Sequence, residues 1–309
     1  MEVLCIGLAV MDISARPVSR ETEWQEKQSI DEIGIQLGGD AVNQGVFLRK
    51  FGMDCGLNIC IGADSTGAML KGALEQNGVD TSLVCVREGI RTGTSLVLID
   101  QNGERRIFSA SGSERDLRME DLPDPVPEGV KAISLASLFG LDNLERNGLE
   151  EYLERARARG ILVFADTIYD KYGIGLGGIS HLFPQIDYFL PSFYEAQTMT
   201  GKETPQECAS FLRELGAKNV MIKCGADGIF ADTQAFCGWV PAVKVEPLDT
   251  TGAGDCFVAA FITGIVKGYS PKDACSLACC AASRSTLFLG ASTARISWEE
   301  VLSLAADRI

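Results

Sequence analysis

Two glycine-rich stretches of this chain end in side chains able to move a proton or hold a hydroxyl. The first, Asp249-Thr-Thr-Gly-Ala-Gly-Asp255, runs straight into the apolar helical pattern of Cys256–Tyr269. Glycines at 252 and 254 permit a tight turn with backbone N–H groups facing outward. With the helix N-terminus, the amides of Gly252, Ala253 and Gly254 make a hole for an anion. Asp255 then stands beside that hole in the first helical turn. A carboxylate next to a phosphate cradle suits phosphoryl transfer to an alcohol: it takes the hydroxyl proton while the amides stabilise the equatorial oxygens. A bare glycine turn before a helix-start aspartate is commonplace; the full seven-residue run is far more specific.

The second stretch is Gly38-Gly-Asp-Ala-Val-Asn43, at the start of another helical pattern. A double glycine lets backbone approach a ligand closely, and Asn43 offers both a donor and an acceptor to a hydroxyl.

The elements that must position these residues alternate. Apolar runs at Val3–Val10, Cys55–Ile61, Ala132–Leu138, Ile161–Ala165 and Asn219–Lys223 read as strands. Helical patterns cover Asp40–Phe51, Thr66–Gln76 and Asn143–Arg159, and three more helices open at Thr204, Ser270 and Ser297. Continuous apolar strands separated by helices predict a doubly wound, mostly parallel sheet with helices on both faces. Segments 13–37 and 91–111 break the rhythm with apolar–polar alternation, and Gln101-Asn-Gly reads as a hairpin turn. They predict a small β-sheet lid inserted in one domain spanning residues 1–309. Its alternating residues, such as Leu96, Leu98, Ile107 and Ser109, are expected to leave one apolar face that needs cover.

Composition excludes several classes. Lys+Arg of 28 against Asp+Glu of 42 gives a net charge of −14, which repels nucleic acid and anionic membranes. A phosphate-bearing ligand must then be held by amides, a metal or a few placed cations. His181 is the single histidine, which disfavours a histidine triad or a histidine-based metal site. Eleven cysteines contain no C-x-x-C pair, so buried, reduced thiols and a cytoplasmic location are expected. The run Val3–Met11 lacks a basic flank and is closed by Asp12, which reads as a buried first strand rather than a secretion signal.

In order and placement, the two motifs resemble the paired signatures of the PfkB/ribokinase family of carbohydrate kinases. The resemblance extends over essentially all 309 residues, including the first strand ending at Asp12, the two-part lid and the turn Lys223-Cys-Gly-Ala-Asp-Gly228. It implies a ribokinase-like α/β fold and ATP-dependent phosphorylation of a hydroxyl, expected to be primary, on a sugar, sugar acid or sugar derivative. By position, Asp255 matches the catalytic base, and Gly252, Ala253 and Gly254 the anion hole. Asp12, Gly38, Gly39 and Asn43 match substrate-hydroxyl positions. Lys223, Gly225, Asp227 and Gly228 fall in the nucleotide loop. Glu195 matches a carboxylate that helps to place water-bound Mg2+, and Asp249 and Thr251 a loop that in some members binds K+. A homodimer joined through the lids is implied as well.

Two departures stand out. The family's Asn-x-x-Glu reads Ser192-Phe-Tyr-Glu195 here, with serine in place of asparagine. After the strand Ala132–Leu138, where ribokinases carry a glutamate, this chain offers Ser137, Leu138 and Phe139, so ribose is not the expected substrate. A nucleoside kinase of the same superfamily remains an alternative, as do an NAD-dependent dehydrogenase and a non-catalytic sugar-binding regulator. The dehydrogenase reading rests on Gly173-Ile-Gly-Leu-Gly-Gly178, but Thr167–Tyr172 separates that run from its strand, against the dinucleotide pattern.

Overall fold

The computed structural model describes residues 1–19, 29–101, 104–171 and 173–309. Its strands are β1 (Val3–Ile6), β2 (Val10–Arg16), β3 (Glu32–Gly38), β4 (Cys55–Asn58), β5 (Cys60–Gly62), β6 (Cys85–Arg87) and β7 (Thr94–Ile99). They continue as β8 (Arg105–Ala110), β9 (Ala132–Leu138), β10 (Leu162–Thr167), β11 (Tyr188–Phe189), β12 (Val220–Lys223), β13 (Ile229–Asp232) and β14 (Cys237–Val240). The helices are α1 (Asp40–Lys50), α2 (Ser65–Gln76), α3 (Asp142–Glu145), α4 (Leu149–Ala158) and α5 (Gly175–Ile179). After them come α6 (Phe193–Thr200), α7 (Pro205–Glu214), α8 (Ala253–Val266), α9 (Pro271–Ser285) and α10 (Trp298–Leu304).

Eight strands form the central sheet in the order β14-β13-β12-β11-β10-β9-β1-β4. Pairing is parallel from β4 through β12 and antiparallel for β12–β13 and β13–β14. Side-chain alternation in β1 explains the layers: Val3 and Cys5 enter one core, Leu4 and Ile6 the other. The first core contains α1, α8 and α9, the second α4 and α7. Phe261 of α8 meets Phe164 and Tyr188 edge-on at 6.0 and 5.2 Å. Burying a side chain of that size stabilises the fold by about 1.5–3 kcal/mol. The helix α8 is buried from Asp255 through Gly264, so its first turn is set by the core rather than by a mobile loop.

A separate four-stranded sheet has the order β3-β2-β7-β8. In register across it, Asp12 faces Gln36 and Ser95, and Ser95 faces Ser109. On the opposite face, Ile13, Ile35, Leu96 and Phe108 line up. Leu96 and Leu98 therefore share a face with Phe108, whereas Ile107 and Ser109 lie on the other, because antiparallel pairing sets Leu96 against Phe108. That corrects the expected grouping, in which Ile107 and Ser109 shared the apolar face with Leu96 and Leu98. The hairpin turn residues Asn102 and Gly103 lie outside the described residues, as do residues 20–28 of the expected lid segment 13–37.

Some expected elements are divided. The first apolar run stops at Ile6, and Val10 already belongs to the small sheet. At Gly7 between them, a Cβ would meet Ser137 Oγ at 2.9 Å and Ala41 Cβ at 3.0 Å. The run Cys55–Ile61 splits into β4 and β5, and β5 leaves the main sheet to pair with β6. The expected helix over Asn143–Arg159 is broken: α3 stops at Glu145, and Gly148, with φ of 103°, caps the start of α4. The cysteines are all free thiols, and eight of them are buried, but Cys237 is exposed.

Candidate active site

Side chains from the carboxyl ends of β9, β10 and β12 converge with the N-termini of α1, α6 and α8, where an open α/β sheet places its ligands. A cleft of about 830 Å³ runs between them, lined by Gly225–Ile229 on one side and Gly252–Asp255 on the other.

Asp255 is 8% exposed. Asn43 Nδ2 donates to its Oδ2 at 2.9 Å, and Gln44 Nε2 to its Oδ1 at 3.3 Å. Gln44 is itself fixed, its Oε1 accepting from Ser134 Oγ at 2.7 Å. Burial pushes the Asp255 carboxyl up to about 6, against the bonds from Asn43 and Gln44 and the charge of Lys223, which pull it down. Both sequence signatures thus meet in one buried carboxylate.

The turn ahead of α8 demands glycine at 252: its φ is 73°, and a Cβ there would run into the Ala291 carbonyl. One expected hole amide is already engaged, since Ala253 N–H donates to Thr250 O at 3.2 Å. The amides that follow, at Gly254 and Asp255, lie in the first turn, where no helix carbonyl four residues back exists to accept them. Thr251 N–H donates to Asp249 Oδ1 and Gly290 N–H to Asp249 Oδ2, each at 2.8 Å. Asp249 and Thr251 thereby tie the turn to the loop that follows α9.

On the other wall, Lys223 ends β12 and points into the cleft. Its Nζ bonds Asp166 Oδ2 at 2.5 Å. Burial pulls the ammonium down, but Asp166 and Glu195 outweigh it and hold Lys223 above the usual lysine value. Glu195 Oε2 accepts from Thr167 Oγ1 at 3.0 Å and from Ser192 N at 2.8 Å. Ser192 Oγ accepts in return from Glu195 N at 3.3 Å, a capping box at the start of α6. Serine and asparagine are near-equal N-caps, so the Ser192 departure preserves the geometry of Glu195. In the loop after β12, Gly225 and Gly228 have φ of 58° and 98°, and Asp227 between them lines the cleft.

Asp12 lies over the double glycine: a Cβ on Gly38 would strike its carboxylate, and one on Gly39, with φ of 93°, would meet the Leu8 backbone. Burial raises the Asp12 carboxyl, with a hydrogen bond to Ser95 opposing. Asp12, Gly38 and Gly39 do not line the 830 Å³ cleft; they adjoin the side of α1 from which Asn43 reaches Asp255. At the end of β9, Ser137 accepts from Leu8 N at 3.1 Å and donates to Asp40 Oδ2 at 3.3 Å. Phe139 has φ of 71°, and its amide is held by buried Glu145 Oε1 at 2.7 Å.

Sequence reasoning missed Gln44, Asp40, Asp166 and Thr167. Gln44 adjoins a residue already singled out, and Asp166 is an acidic residue closing a buried parallel strand, so both carried a signal. The run Gly173–Gly178 leads into the short helix α5 and does not line the cleft.

The chain belongs to the PfkB family, since the model for pfkB family carbohydrate kinases matches residues 1–297. It is accordingly an ATP-binding carbohydrate kinase, a phosphotransferase with an alcohol group as acceptor. A ribokinase of Haemophilus influenzae is 28% identical over 278 residues, covering 87% of each chain. An aminoimidazole riboside kinase of Salmonella typhimurium is 28% identical over 73% of this chain and 72% of its own. A putative ribokinase II of E. coli, solved with ATP and Mg2+, superposes with a TM-score of 0.83 at 19% identity over 99% of both chains, a likeness of fold. Among the described residues no helix is long and apolar enough to cross a membrane.

Proposed function

We propose that this kinase transfers the γ-phosphoryl group of ATP to a primary hydroxyl of a sugar, sugar acid or sugar derivative, with Asp255 as general base. The observation that carries this reading is the placement of Asp255: buried, bonded by Asn43 and Gln44, and open to the cleft beside the Gly252–Gly254 turn. The acceptor hydroxyl gives its proton to the carboxylate as its oxygen bonds to phosphorus, and the first-turn amides of α8 face the phosphoryl oxygens. Asp12, Gly38, Gly39 and Asn43 hold the acceptor's other hydroxyls, while Lys223, Gly225, Asp227 and Gly228 border the nucleotide.

Glu195 suits a hard, water-bound cation: it is an oxygen donor in the cleft, fixed by Thr167 and Ser192. Glu195 would hold Mg2+ through water, and the cation would supply positive charge beside the nucleotide phosphates. The Asp249–Thr251 loop is proposed to take K+, bracing the turn beside it. The four-stranded sheet acts as a lid over the acceptor, its polar Asp12–Gln36–Ser95 face inward. Its apolar face pairs with the lid of a second copy.

A second reading, a nucleoside kinase, has support in the similarity to the Salmonella riboside kinase. Coupled ADP release measured over hexoses, ketoses, sugar acids, amino sugars and nucleosides tests both. Turnover with a sugar supports the first reading, turnover confined to nucleosides the second, and none with any acceptor contradicts both.

A further inference from the structure

Lys223 is more than a border of the nucleotide loop. It is anchored in β12, its side chain is 13% exposed, and its only side-chain bond among the described residues is the one to Asp166. A lysine ammonium has three N–H donors, so two remain for a ligand. The group stands beside the anion hole: a Cβ on Gly254 would lie 3.6 Å from Lys223 Nζ, and both residues line the cleft. Asp255, the other group of the first α8 turn, senses the same charge. A buried ion pair with no further task would turn its spare donors to carbonyls; this one makes no such bond among the described residues and lines the cleft.

We infer that Lys223 is a catalytic residue that hydrogen-bonds an oxygen of the transferring phosphoryl group, with Asp166 as its positioning residue. This rests on the kinase reading above. In the step, the acceptor O–H bond breaks and its proton passes to Asp255. The new O–P bond forms, and the bond between phosphorus and the β-phosphate oxygen breaks, the electron pair leaving with ADP. Lys223 keeps its proton and stabilises the charge spread over the moving group. Asp166 and the strand fix its direction in advance, which is the condition under which one placed donor strengthens a transition state most.

The test is steady-state kinetics of the full chain with the best acceptor, together with ATP and ADP affinities by calorimetry. Lys223→Met is expected to lower kcat by about 10²–10³-fold, leave the acceptor KM within a few fold, and erase much of the preference for ATP over ADP. Asp166→Asn, which keeps shape and removes charge, is expected to show the same split between kcat and KM. Because Lys223→Met strands a buried carboxylate, the double variant Lys223→Met/Asp166→Leu serves as the folded control, and it should be as slow as the single variant. A folded single or double variant with kcat within threefold of wild type overturns the inference. So does an equal loss of ATP and ADP affinity with kcat kept, which marks an ordinary nucleotide contact. Wild-type protein that binds no ATP and phosphorylates nothing overturns the underlying reading, and the inference with it.

Discussion

Asn43 and Asp255 are hydrogen-bonded at 2.9 Å, Nδ2 to Oδ2, although 212 residues separate them. Adjacent Gln44 holds the other oxygen. The carboxylate proposed as the base is thus fixed from α1, and its acidity is set by partners as well as by burial.

A pH dependence follows. A general base works ionised, and the Asp255 carboxyl is pushed up to about 6. The acceptor-limited kcat/KM should therefore rise with pH, tenfold per unit on the acid side, and level off above about 6. Gln44 stabilises the ionised form, so Gln44→Leu should move that limb to higher pH. Profiles of wild type and variant check this; an unmoved limb speaks against Gln44 tuning the base.

Gly252→Ala should be severe. Left-handed backbone costs an L-residue roughly 1–2 kcal/mol, and the new Cβ also meets the Ala291 carbonyl, displacing the turn. Lower thermal stability and weakened ATP binding are expected, measured by calorimetry. Gly225→Ala makes a useful contrast: its added Cβ meets no atom within 4 Å, which leaves only the backbone strain.

Ser192 tests the metal side. Ser192→Ala removes the cap of α6, which costs about 1 kcal/mol, and should raise the Mg2+ concentration needed for half-maximal rate. Ser192→Asn keeps a capping oxygen and should match wild type in both. Thermal unfolding and Mg2+ titrations read the two effects separately.

The small sheet leaves Ile35 55% and Leu96 40% exposed on one face. If a second lid covers that face, as proposed, the protein should be a dimer at micromolar concentration, and Leu96→Glu should dissociate it. Sedimentation velocity decides: a monomeric wild type, or a dimer indifferent to the charge, places no interface here.

Much of this site was legible because its signatures are local. The run Asp249–Asp255 carries its own turn, its own helix start and its own carboxylate, so no distant contact is needed to read it. Asp40, Asp166 and Thr167 were not legible in the same way. Their meaning comes from strand ends that the parallel sheet brings together, and a single strand does not say which neighbours it will have. The split of the run Cys55–Ile61 was hidden for a related reason: apolar residues in β5 look alike whether they join the main sheet or pair with β6. Gly148 did announce the break between α3 and α4, but an isolated glycine within a helical pattern is often tolerated.

The most direct test is single-turnover phosphoryl transfer by Asp255→Asn. The substitution preserves size and removes the basicity. With the preferred acceptor, the rate should fall by about 10²–10⁴-fold, while ATP affinity and melting temperature stay close to wild type. A folded Asp255→Asn protein that transfers phosphoryl within a few fold of the wild-type rate would contradict the role of Asp255 as the base.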